Sequence, residues 1–170
     1  MGGGPAGSAA AYTLASQGLT ACVIDKKKFP RDKVCGGLLT LRSKKLFTKI
    51  FTTNWNSTIK RVSKGVRFYY KNKYLSAISD YKELSFTNRS DFDLFLATLS
   101  ERKGVNFIQD TTITKLDIKE CLVILKDGRQ LKSDFIIGAD GVNSFVARTL
   151  FGRSYNKKTG ILCEDFPDLI

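Results

Sequence analysis

Met1-Gly2-Gly3-Gly4-Pro5-Ala6-Gly7-Ser8-Ala9-Ala10 opens the chain, and the stretch it begins, residues 1–25, decides the fold. Gly2, Gly4 and Gly7 form a G-x-G-x-x-G run. Behind it come an Ala-rich segment of helical composition, Pro5 to Gln17, and a short apolar run, Leu19 to Ile24, that ends at Asp25. This order predicts the loop, helix and second strand of a dinucleotide-binding βαβ unit. In such a unit the first glycine permits a tight turn, the second lets the backbone approach a pyrophosphate, and the third lets helix and strand pack closely. The phosphates then meet the free N–H groups at the helix N-terminus. Asp25 stands about twenty residues beyond the glycines, where a carboxylate accepts hydrogen bonds from both ribose hydroxyls, which favours a free 2′-hydroxyl over a 2′-phosphate.

The first strand of the unit would immediately precede Gly2, where only Met1 stands. The expectation is therefore a unit lacking the centre of its sheet, through a late start or because the chain is a fragment.

Working outward, 170 residues with 42% hydrophobic content suit one globular domain with a real core. No apolar run reaches the roughly eighteen residues that a spanning helix needs, so no membrane span or signal peptide is expected and the placement is cytoplasmic. The four cysteines, Cys22, Cys35, Cys121 and Cys163, are widely spaced and histidine is absent, which excludes zinc sites and histidine-based triads; no metal is expected. Cys22, Cys121 and Cys163 fall in strand-like runs and are expected buried and inert, while Cys35 lies in a loop beside Gly36-Gly37, open to packing or to lining a cofactor. The net charge of +12 is spread over the whole chain. It reads as a solvated basic surface, or as attraction to an anionic membrane or a phosphorylated substrate; no nucleic-acid motif accompanies it, and no nucleic acid is expected.

Further along, Leu38 to Phe47 reads as a helix and the polar stretch Thr52 to Thr58, with Trp55, as a loop. Val66 to Tyr70 and Tyr74 to Ile78 alternate around Lys71-Asn72-Lys73 and predict a β-hairpin with an aromatic face, packed on its own domain or covering a flavin or substrate. Phe92, Phe95, Leu96 and Leu99 share a helical face, with Ser90 as N-cap and Gly104 as the stop. Arg89 at the head of that helix opposes the dipole, which asks for a cofactor phosphate or ring carbonyl, or for a salt bridge with Asp91 or Asp93. A short strand at Val105 to Ile108 precedes a three-stranded meander, Thr111 to Ser133, turning at Asp127-Gly128. An apolar run, Asp134 to Ile137, then leads through Gly138-Ala139-Asp140-Gly141 into a helix, Ser144 to Leu150. Strand, glycine-flanked acid and helix again present a loop to a ligand, with Asp140 as a plain turn residue the alternative.

Taken together, Gly2-Gly3-Gly4-Pro5-Ala6-Gly7-Ser8, Asp25-Lys26, Phe29-Pro30-Arg31-Asp32-Lys33 with Cys35-Gly36-Gly37, the R-x-x-F-D of Arg89 to Asp93, and Gly138 to Gly141 with Ser144 and Arg148 resemble the FAD-dependent geranylgeranyl reductase family. The wider group includes the aromatic hydroxylases and shares the glycine, R-x-x-F-D and G-A-D-G motifs; F-P-R-D-K-x-C-G-G points to the reductases. The resemblance implies an α/β, Rossmann-like FAD-binding domain of the glutathione-reductase and aromatic-hydroxylase type, with an inserted β-hairpin and β-meander, truncated before its C-terminal half. Residues 1–170 would form that incomplete domain, with 59–86 the first excursion into the substrate-side sheet and 159–170 entering the substrate domain.

By the same resemblance Gly2, Gly4, Ala6 and Gly7 line the FAD pyrophosphate, Asp25 holds the ribose, and Thr112 lies by the adenine. Gly36, Gly37 and Leu39 approach the flavin, Arg89 contacts FAD from its helix, and Asp140 supports the pyrophosphate region. The implied reaction is reduction of C=C bonds in a prenylated lipid or small isoprenoid, with NAD(P)H or ferredoxin as electron donor and peripheral contact with a membrane. No catalytic acid is assignable. A flavin monooxygenase of the same fold and a non-catalytic FAD-binding fragment are the alternatives; the W-x-W-x-I-P segment of halogenases is absent from the sequence.

Overall fold

The computed structural model describes residues 1–80 and 82–152. They form two compact units, residues 1–31 with 93–152 and residues 32–92. In chain order the elements are α1 (Pro5–Ser16), β1 (Cys22–Ile24), β2 (Leu38–Leu39), α2 (Leu41–Phe51), β3 (Ile59–Ser63), β4 (Val66–Tyr70), β5 (Lys73–Ile78), β6 (Leu84–Thr87), α3 (Arg89–Glu101), β7 (Asn106–Ile108), β8 (Ile113–Asp117), β9 (Leu122–Leu125), β10 (Gln130–Lys132) and α4 (Phe145–Phe151). The segment 159–170, expected to enter the substrate domain, and Cys163 within it, lie outside the described residues.

In the first unit β1 pairs in parallel with β7, Val23 opposite Phe107. Ala11, Val23 and Val105 bury one small core beneath α1. The Ala-rich face of α1 also admits close packing, because Ser100 of α3 donates its hydroxyl to the Ser8 carbonyl at 3.1 Å and both serines are fully buried. A second core joins Ile24, Leu116, Val123, Leu125 and Val146. It is covered by the antiparallel meander, ordered β10-β9-β8 as the sequence predicts.

Met1 and Gly2 occupy the centre of this unit. The Gly2 N–H donates to the Ile24 carbonyl at 2.8 Å, and the Ala139 N–H donates to the Met1 carbonyl at 2.8 Å. The Met1 amine donates to the Ile137 carbonyl at 2.6 Å. These bonds tie the two residues to β1 on one side and to residues 137–139 on the other. Beside them a cavity of about 240 Å³ runs between β1, α1 and the 133–137 segment, lined by Leu14, Cys22, Ile24, Phe135 and Ile137 among others. Cys22, expected buried, is exposed instead, because its strand edge faces this slot; Cys121 is half-buried.

The second unit holds an antiparallel sheet, β2-β6-β3, and a separate β4-β5 hairpin. The helix expected from Leu38 starts at Leu41. Leu38 and Leu39 pair instead with Phe86 and Ser85 of β6, and Thr40 caps the helix by accepting the Ser43 N–H. The Thr52 to Thr58 stretch, read as a polar loop, carries the unit's main anchor: Trp55 is 2% exposed. Its ring lies 5.4 Å from Phe47 and 6.0 Å from Phe92, and Phe47 stacks on Phe51 at 5.0 Å. A single tryptophan in a polar run leaves no periodicity to reveal its burial. For α3 the cap is Asn88 rather than Ser90, its side chain accepting the Ser90 N–H at 3.0 Å.

The hairpin forms as predicted, with Val66 opposite Ile78 and Tyr69 opposite Tyr74. Its aromatic face does not pack on its own domain among the described residues. Tyr69, Tyr70 and Tyr74 are 58–62% exposed.

Candidate cofactor site

The glycine loop is shaped by contacts that leave no room for side chains. Gly2 has φ +93°, and a Cβ there would lie 2.3 Å from the Ala139 carbonyl oxygen; one on Gly7 would lie 1.8 Å from the Gly2 oxygen. The G-A-D-G loop and the glycine loop are therefore in direct backbone contact. Gly4, the N-cap of α1, differs: the nearest described atom to its missing Cβ is Arg31 Nη2, at 3.5 Å. Pro5 begins the helix, no side chain caps it, and its first turn holds no acid. With Ala6 and Gly7 in that first turn, the helix offers bare N–H groups and a positive dipole end.

Asp25 sits at the end of β1, buried to 8% exposure. Its Oδ2 accepts the Gly3 N–H at 2.7 Å and its Oδ1 the Lys27 N–H at 2.9 Å. It thus fixes the glycine loop, and each oxygen keeps a further lone pair for a ribose hydroxyl. Thr112 lies just beyond this strand end: the neighbouring Thr111 N–H reaches the Asp25 carbonyl at 3.3 Å, and Thr112 itself accepts the Lys126 N–H at 2.8 Å.

Phe29 and Arg31 brace the loop from outside. Phe29 lies against Gly3, its ring 3.1 Å from where a Cβ would stand, and packs edge-on to Phe107. The Arg31 guanidinium lies 4.9 Å from the Phe29 ring centroid and pairs with Asp93 at 3.1 Å, the two side chains 13% and 0% exposed. The F-P-R and R-x-x-F-D motifs therefore meet in one buried ion pair, a joint that their separation in sequence conceals. The acids offered as partners for Arg89 have these cations beside them: Asp93 has Arg31, and Asp91 has Lys60 at 2.8 Å.

Asp140 is engaged by α4. Its carboxylate accepts the Ser144 hydroxyl and the N–H groups of Phe145 and Val146 at 2.6 and 3.2 Å. Partial burial pushes its carboxyl up, but the Ser144 hydroxyl and the two N–H donors outweigh this and hold it below the usual range. Its work in this structure is to shape the loop that touches Gly2. Gly138 belongs to the same packing, its missing Cβ 2.9 Å from the Val146 side chain.

In the second unit the glycine pair splits in role. Gly37, at φ +66°, abuts the Thr87 carbonyl, which a Cβ would approach to 1.9 Å, so its smallness serves the pairing of β2 with β6. Gly36 has open space where its Cβ would be. Leu39 is half-buried opposite Ser85, and Arg89 is half-buried at the head of α3. Read from the sequence, Phe29 and Arg31 have no individual role and Asp93 is only a partner offered to Arg89, whereas the structure joins the three. The available signal was an arginine inside F-P-R together with an acid, Asp93, on the otherwise apolar face of α3.

A backbone cradle that any Cβ would fill, at the bare N-terminus of a helix and with an acid closing the next strand, defines a dinucleotide-binding flavoprotein fold. Residues 1–163 match the family model described as FAD binding domain, and the chain belongs to that family. FAD is its cofactor, and the cradle fits it. An uncharacterized protein, Mbar_A1602 of Methanosarcina barkeri, is 34% identical over 151 residues, 88% of this chain and 38% of that one. The digeranylgeranylglycerophospholipid reductase of Methanosarcina acetivorans is 31% identical over 159 residues, 87% and 38% of the two chains. The chain thus spans under half the length of these relatives. Among solved structures, the halogenase PltM in complex with phloroglucinol and FAD superposes with a TM-score of 0.73 at 21% identity, over 88% of this chain and 35% of that one. That likeness concerns the fold.

Proposed function

We propose that the chain is the FAD-binding part of an oxidoreductase that reduces isolated C=C bonds in prenyl chains. The observation that carries this reading is the F-P-R-D-K-x-C-G-G stretch, residues 29–37, beside 31% identity to a digeranylgeranylglycerophospholipid reductase. The substrate is then a prenylated lipid or small isoprenoid, and the electron donor NAD(P)H or ferredoxin.

Bound and reduced, FAD supplies the electrons for alkene reduction. The chain's own residues hold and orient it. Gly2, Gly4, Ala6 and Gly7 keep the backbone open to the pyrophosphate, Asp25 accepts from the ribose, and Thr112 stands toward the adenine. Asp140, by capping α4, fixes the loop against which Gly2 rests. Gly36, Gly37, Leu39 and Arg89 serve the flavin side. Peripheral contact with a membrane belongs to the same proposal; the exposed aromatic hairpin supports it, carrying Lys64, Arg67, Lys71 and Lys73 with no acid between residues 63 and 79.

The test is retention of flavin absorbance after incubation with FAD and desalting, followed by mass spectrometry of a geranylgeranyl lipid incubated with the reduced flavoprotein. Gain of one H₂ per double bond is the expected result. Substrate oxygenation with oxygen uptake would instead establish a monooxygenase on the same fold, and flavin retention with neither reaction would leave a binding fragment.

A further inference from the structure

We propose that Arg31 is the cation that meets the FAD pyrophosphate over Gly4, with Asp93 as the buried counter-ion that positions it. The second glycine of a dinucleotide loop lacks a side chain so that the pyrophosphate can approach. Here the space in front of Gly4 has one described neighbour within 4 Å, the Arg31 Nη2. The guanidinium therefore stands where phosphate oxygens are expected, at a helix end that no acid or side chain caps.

Stability alone does not explain this placement. A cation at a helix N-terminus opposes the dipole. A buried ion pair loses hydration that its attraction barely repays, so an apolar pair of similar volume would serve the fold as well. Arg31 also buries its Nε with no hydrogen-bond partner, a donor left over after Asp93 is bound. The Phe29 ring holds the guanidinium from one side, and Asp93, fully buried on α3, anchors it at 3.1 Å. What faces Gly4 is Nη2, held in place by Asp93 and Phe29 beside the N–H groups of α1, a charge-assisted donor for a phosphate oxygen.

The experiment titrates the full chain with FAD, ADP and adenosine, following flavin fluorescence and competition, beside the thermal stability of the FAD-free protein. Arg31→Met is expected to weaken FAD about 10- to 100-fold, the range for loss of a charge-assisted contact, and to reduce the preference for ADP over adenosine by the same factor. Arg31→Lys, which keeps charge but not the guanidinium, should recover part of both. The decisive variant is R31M/D93L, which replaces the buried charges by apolar groups. Restored stability with FAD affinity still lost is the result expected. Restored stability with restored FAD and ADP affinity would show the pair to be a structural brace and overturn the proposal. So would a wild-type chain that binds ADP no better than adenosine.

Discussion

Around the glycine loop, polar groups find partners inside the same unit: Gly2 N–H with Ile24, Gly3 N–H with Asp25, Ser8 hydroxyl with Gly3, Ala139 N–H with Met1. In the β4-β5 hairpin the reverse holds. Phe68, Tyr69, Tyr70, Tyr74, Leu75 and Ile78 are all exposed, and the two strands pair with no other described strand. A lone two-stranded hairpin is marginal in water. The loop is thus a site that its own unit completes, since its requirements are backbone bonds and the absence of side chains. The hairpin is a surface whose apolar residues stay exposed among the described residues, and substitutions should separate the two cases sharply.

The largest effect is expected where the hairpin's own unit is closed. Trp55→Ala removes the ring that Phe47 and Phe92 pack against and should cost about 3–5 kcal/mol in chemical denaturation. A much smaller loss would mean that residues 32–92 lack an independent core, and the contrast with the hairpin would vanish. Next comes the loop. Gly7→Ala drives a methyl into the Gly2 carbonyl, where no flexible side chain can yield, and should cost about 3 kcal/mol and abolish FAD retention. Gly4→Ala meets only the far end of Arg31; the FAD-free protein should keep its stability within about 0.5 kcal/mol while FAD affinity falls. Equal stability losses in the two variants would refute the assignment of Gly4 to ligand approach.

The same contrast explains what the sequence made legible. Gly2, Gly4, Gly7 and Asp25 were readable because each answers a requirement stated by spacing along one short stretch. The meander and the hairpin were readable from alternation and turn residues. Trp55, Gly37 and the Arg31–Asp93 pair were not: each owes its role to a partner far along the chain, Phe92, Thr87 and α3 respectively, and no local period encodes such a meeting. Asp140 was legible as a special position, but whether its carboxylate faced a ligand or its own helix depended on the path of residues 141–146.

Asp140→Asn probes the loop more gently. Its carboxyl is held below the ordinary range by Ser144, Val146 and Phe145 despite partial burial, so the stabilisation is fully present above the unfolded-state pKa, near 4, and is lost as pH falls through the lower folded-state value. At neutral pH the substitution should cost about 1 kcal/mol, as for loss of a helix cap. It should also flatten the acid limb of the stability profile below about pH 4. An unchanged acid limb would mean that Asp140 does not hold the first-turn N–H groups of α4 in solution.

The hairpin should show the smallest effect on stability and a clear effect on binding. Tyr69→Ser and Tyr70→Ser change exposed side chains and should leave the unfolding free energy within about 0.5 kcal/mol. If the hairpin is the membrane-facing surface, the basic, aromatic strands should sediment with vesicles containing anionic lipid and not with neutral ones, because cations near the headgroups and aromatic rings at the interface act together. The serine variants, and Lys71→Glu with Lys73→Glu, should each reduce that sedimentation, the charge variants more steeply at low salt. Should Tyr69→Ser destabilise the chain by several kcal/mol instead, the tyrosines would be covered in solution. The hairpin would then be as self-contained as the glycine loop, and the membrane contact would lose its surface.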